Sequence, residues 1–125
     1  MTWAAMLVPG VIVVIGLGAA PIPLGAQGEP QSVTLKAREY AFNPREITLR
    51  AGEVTILVTN EGGIEHALIV EDGSRTTLAE IPSVLPEKSE QVRVTLSAGA
   101  YTFFCPNGSG FHRRLGMVGQ LKVTE

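Results

Sequence analysis

From Val33 onward the chain runs in short stretches where apolar and polar residues alternate, broken at close intervals by turn-forming residues. Val33, Leu35 and Ala37 stand against Thr34, Lys36 and Arg38. Ile47 and Leu49 resume the pattern, as do Val54, Ile56 and Val58, then Val92, Val94 and Leu96. Tyr101 and Phe103 keep phase with Cys105, and Val118 to Val123 closes the series. A period of two sends one face of each run to a core and the other to water. His66 to Val70 is mostly apolar and reads as a central strand, while Thr76 to Ile81 fits a short strand or one helical turn. Between them lie the breakers Tyr40-Ala41-Phe42-Asn43-Pro44, Ala51-Gly52-Glu53, Asn60 to Gly63 and Asp72-Gly73. Seven or eight such runs without a long helical repeat specify an all-β sandwich or barrel.

The first part of the chain obeys another rule. No charged side chain occurs before Glu29, and Trp3 to Ala20 is uncharged throughout. Extended through Leu24, this segment is long enough to cover a bilayer core. Small residues near Ala19-Ala20 and Gly25-Ala26 suit signal cleavage, although the usual basic residue before the apolar run is missing. We expect residues 1–26 to be a signal peptide or membrane anchor, 27–31 a linker, and 32–125 one domain. Membrane association would then run through residues 3–24, and the domain would lie outside the cytoplasm, in the periplasm or on the outer face of the membrane. A formal charge of −2 gives no footing for nucleic-acid binding.

One cysteine excludes an internal disulfide. Met1 and Met6 fall in the leader, so the domain holds one cysteine, one methionine and two histidines: His66, Cys105, His112 and Met117. Each alone has a plain reading as core filler. Together, with three of them inside a 13-residue stretch, they match a trigonal His₂Cys site with a weak axial thioether. Imidazole tolerates both copper oxidation states, and thiolate and thioether favour Cu(I). Structural zinc would want four Cys/His ligands, and catalytic zinc would leave Met117 without a role. A Cys–His nucleophilic pair is the enzymatic alternative, with Asn107 or Glu65 as the group that orients the imidazole.

The stretches Tyr40 to Ile47, Ala51-Gly52-Glu53, Val58 to Gly62, Glu65-His66, and above all Tyr101 to Cys105 with His112 and Gly116 to Gly119, resemble the small cupredoxins, the plastocyanin, azurin and halocyanin type of blue copper protein. The resemblance implies a Greek-key β-sandwich with one type 1 copper at one end. His66 would come from an inner strand turn, and Cys105, His112 and Met117 from the last loop. It implies one-electron transfer between protein redox partners, with no enzymatic activity, by a monomer. Copper carriage or sequestration without electron transfer is the alternative. Two departures stand out. The six residues between Cys105 and His112 make a wider gap than most members have, and Ala67 stands where many carry an asparagine that ties the two ligand loops together. Asn107 or Ser109 is a candidate replacement for that tie. The expected electron path runs through the edge of His112. Pro106, Phe111 and Leu115 would form the docking patch, and Arg113 and Arg114 a basic rim for an acidic partner.

Overall fold

The computed structural model describes residues 29–125 together with Gly18. The expected signal or anchor at 1–26 otherwise lies outside the described residues. Among those described, no helix is long and apolar enough to cross a membrane.

The alternating runs form strands β1 (Gln31–Arg38), β2 (Ala41–Asn43), β3 (Glu46–Arg50), β4 (Gly52–Asn60), β5 (His66–Glu71), β6 (Thr77–Val84), β7 (Ser89–Leu96), β8 (Gly99–Phe104) and β9 (Val118–Thr124). A short helix, α1 (Phe111–Arg114), lies between β8 and β9. The strands make two mixed sheets, ordered β2-β1-β4-β7 and β3-β9-β8-β5-β6. The chain crosses between the sheets repeatedly, as in a Greek-key sandwich. Among the described residues, nine strands exceed the seven or eight expected. The additional one is β2, three residues that pair antiparallel with β1 inside what the sequence presents as a turn.

Alternation fixes which side chains meet between the sheets. In β4, Val54, Ile56 and Val58 are buried and Glu53 faces out; in β9, Leu121 and Val123 are buried and Gln120 and Lys122 are exposed. Phe42 of one sheet meets Phe103 of the other edge to face, with ring centroids 5.6 Å apart. Such a pair adds to the burial of two large rings. Phe103 lies directly opposite Gly119, and a Cβ at that position would collide with the Phe103 ring. At the corner before β8, Tyr101 donates its hydroxyl hydrogen to the Ser97 carbonyl at 2.6 Å.

The pairing also decides where the last loop lies. β8 runs antiparallel to both β5 and β9, with Phe104 opposite Ile69 and Val118. The start of β5, the end of β8 and the start of β9 therefore meet at one end of the sandwich. His66, Cys105 and Met117 occupy those three positions.

Candidate metal centre

His66 opens β5 and is fully buried. The loop before it is held by Asn60, whose amide donates to the carbonyls of Ile64 (2.7 Å) and Val84 (2.8 Å) while its oxygen accepts from Gly62 N–H (2.8 Å). A buried asparagine with three bonds made is well satisfied. Glu39, in the β1–β2 turn, reaches His66 Nε2 at 3.2 Å. Among the described residues, His66 Nδ1 is the buried side-chain nitrogen left without a partner.

Cys105 follows β8 and is fully buried, its Sγ accepting the Ala67 N–H at 3.4 Å. Burial pushes its thiol pKa up, opposed by the N–H groups of Asn107 and Ala67 and reinforced by the charge of Glu65. Burial likewise lowers the His66 pKa, against the pull of the Glu39 carboxylate, and His112 lowers it further. The imidazole is thus kept neutral, as a metal ligand must be.

The wide gap after Cys105 is filled by structure. Gly108, Ser109 and Gly110 take φ of 67°, 53° and 84°, and the chain then enters α1. Bonds from His112 N–H to Asn107 O (3.2 Å) and from Arg114 N–H to Gly110 O (3.1 Å) wind the insert into a helical turn. That turn swings His112 back over the thiol, with Nδ1 3.5 Å from Cys105 Sγ. A Cβ on Gly108 would crowd Phe111 and His112, so glycine is needed there for space as well as for its φ. The ligand atoms of His66, Cys105 and His112 all lie within 4.8 Å of one another. Met117 is fully buried, its carbonyl accepting Cys105 N–H and its own N–H donating to His112 O, each at 3.1 Å. An unpartnered imidazole nitrogen, a second imidazole and a buried thiol in this grouping, with the buried Met117 bonded through its backbone to Cys105 and His112, fit one type 1 copper ion.

The chain matches the family model for a cupredoxin-like domain over residues 7–121. It belongs to the cupredoxin-like family. Comparison with curated proteins finds none that matches. Among solved structures, auracyanin A, titled a "blue" copper protein from Chloroflexus aurantiacus, is 24% identical, with TM-score 0.68 over 77% of this chain and all 100% of its own. Auracyanin B is 21% identical, with TM-score 0.68 over 76% of this chain and 89% of its own. The blue copper oxidase of Nitrosomonas europaea is 19% identical, with TM-score 0.61 over 76% of this chain but 39% of its own.

Three features of this cupredoxin differ from the sequence reading. His112, expected to show its edge, is 8% exposed, with the Tyr40 ring packed on it at 4.9 Å and 68°. Arg113 is not a free rim charge. It sits 4.0 Å over the Phe104 ring and pairs with Glu71 at 3.2 Å. Neither Asn107 nor Glu65 orients an imidazole; Asn107 donates to the Glu65 carbonyl, the loop-to-loop tie for which it is one of two candidates. Glu39 and Tyr40, consecutive residues that touch the two histidines, were not recognisable from sequence. Their roles depend on contacts across the sandwich.

Proposed function

We propose that this cupredoxin is a one-electron carrier working outside the cytoplasm, in which His66, Cys105, His112 and Met117 would hold one copper ion. Bound copper would supply a Cu(I)/Cu(II) couple. The observation that carries this reading is the buried convergence of His66, Cys105 and His112 around an unpartnered Nδ1. Each of the chain's own residues contributes to a stiff setting. Ala67 N–H holds the thiolate, Tyr40 packs on the His112 ring, and backbone bonds lock Met117 to both Cys105 and His112. A frame that moves little between oxidation states keeps reorganisation small.

Docking would take place around α1, where Phe111 and Leu115 are 47% and 48% exposed. With Arg113 engaged by Glu71, Arg114 is the charge available to steer an acidic partner. The leader supports export, with residues 1–26 as a signal or anchor and 32–125 as the carrier domain. The similarity to auracyanins that span little more than this domain supports a carrier rather than a piece of an oxidase.

The test is addition of Cu(II) to the purified domain. An intense blue thiolate-to-copper band is expected, absent in Cys105→Ser and bleached reversibly by reductant. A colourless protein that binds Cu(I) and passes it to another protein would instead identify a copper carrier.

A further inference from the structure

Glu39 sits in the turn that joins β1 to β2 of the four-stranded sheet and His66 opens β5 of the five-stranded one, yet a single carboxylate oxygen joins them. Glu39 Oε1 accepts the N–H groups of Gly63 (2.9 Å) and Ile64 (3.0 Å) and lies 3.2 Å from His66 Nε2. The seat is shaped for it: a Cβ on Gly62 would collide with the Glu39 carboxylate. A carboxylate that already accepts two backbone N–H groups can only accept from the ring, so Nε2 carries the imidazole proton. Nδ1 is then the bare nitrogen. It is also, among the described residues, the buried side-chain nitrogen without a partner, on the ring that groups with Cys105 and His112.

We propose that Glu39 is the positioning residue of the centre: it fixes the tautomer and ring orientation of His66 and sets the reduction potential. This rests on the copper reading above. A carboxylate behind a ligating imidazole raises its basicity, and the more basic ligand stabilises Cu(II) over Cu(I). Glu39 therefore holds the potential down. Its two backbone bonds keep the His66 loop in register while it does so.

Glu39→Gln is the informative variant, because the amide oxygen can still accept from Gly63 and Ile64 while the charge is gone. Copper should stay bound and blue, and the preference for Cu(II) over Cu(I) should fall about tenfold, a rise of ~59 mV for one electron. Glu61→Gln is the control, since it removes the same charge from the β4–β5 loop on which the Glu39 carboxylate rests, where Glu61 pairs with Lys36 at 3.3 Å. Its potential should stay close to wild type. An unchanged potential in Glu39→Gln, or equal shifts in both variants, overturns the proposal. NMR of the apoprotein gives a reading independent of copper. His66 should carry its proton on Nε2, with a downfield resonance that moves upfield in Glu39→Gln. A proton on Nδ1 in wild type overturns the proposal, whereas a wild-type protein with no blue band overturns the copper reading and the potential argument with it.

Discussion

The Asn107 side chain donates a hydrogen bond to the Glu65 carbonyl at 3.2 Å, tying the loop of Cys105 to the residue before His66. Ala67 cannot make a side-chain tie, and Asn107 makes one from the opposite loop. Asn107→Ala should cost about 1 kcal/mol, an ordinary value for one exposed-to-half-covered bond. It should also speed copper loss to a chelator, because the two ligand loops then fluctuate separately. Denaturant midpoint and chelator transfer rate check the two effects, and an unchanged transfer rate would show that the loops are not coupled through this bond.

The two adjacent arginines should behave differently. Arg113 covers Phe104 and neutralises Glu71, so Arg113→Gln should lower stability by about 1 kcal/mol. Arg114 faces solvent beside Phe111, its guanidinium 5.9 Å from that ring. Arg114→Gln should leave stability unchanged, slow association with an acidic redox partner at low salt, and flatten the salt dependence. Stopped-flow rates across ionic strength measure this; equal kinetic effects from both variants would contradict the assignment.

Gly119 is small because Phe103 lies across it. Gly119→Ala should destabilise the domain by about 1–3 kcal/mol through overpacking. Combined with Phe103→Leu the penalties should fall short of additive, since the second change removes the ring atoms the first one strikes and leaves only the clash with the Arg45 carbonyl. A double-mutant cycle by urea unfolding gives the coupling.

Stability of the apoprotein should fall at both ends of the pH scale. Burial, opposed by Glu39 and aided by His112, holds His66 below its ordinary 6.5, so the unfolded chain takes up this proton first and stability declines as pH drops below 6.5. Glu39 adds a further loss below 4.5. Burial raises its pKa, but hydrogen bonds from its own N–H, Ile64, His66 and Gly63 bring it below that ordinary value. At the other end burial lifts Cys105 above 9.0, with Glu65 adding and the N–H groups of Asn107 and Ala67 opposing. The unfolded chain then releases its proton first, and stability declines as pH rises past 9.0. Thermal melts should show a plateau between these limits, and Cys105→Ser should abolish the alkaline decline.

Met117→Leu keeps the volume of a fully buried side chain, so it should cost less than about 1.5 kcal/mol. Copper should remain bound at a higher potential, because losing a weak fourth donor costs the more ligand-demanding Cu(II) more than Cu(I), while His66, Cys105 and His112 would still hold the ion. Loss of binding in voltammetry and absorption would exclude Met117 as the axial ligand.

The sheets were legible because period-two alternation is a local signal, and it survives in β1, β4, β7, β8 and β9. The metal set was legible for another reason: rare residue types stand out when a domain contains so few. β2 was hidden because three residues between an aromatic and a proline read as a turn. Helix α1 was hidden because four residues show no periodicity, and the neighbouring glycines suggest only loop. Glu39 and His66 are 27 positions apart, and Arg113 and Glu71 are 42, so those pairings exist only after the sheets are assembled.

All four candidate ligands hang from the five-stranded sheet or the loop that closes it, whereas Glu39 and Tyr40, which touch the two imidazoles, come from a hairpin of the other sheet. The centre therefore works as a gauge of sheet alignment. A slip of one layer over the other would turn both rings at once, and the colour of the bound ion would report it. By linkage, an ion that prefers the aligned arrangement clamps the two layers together in return.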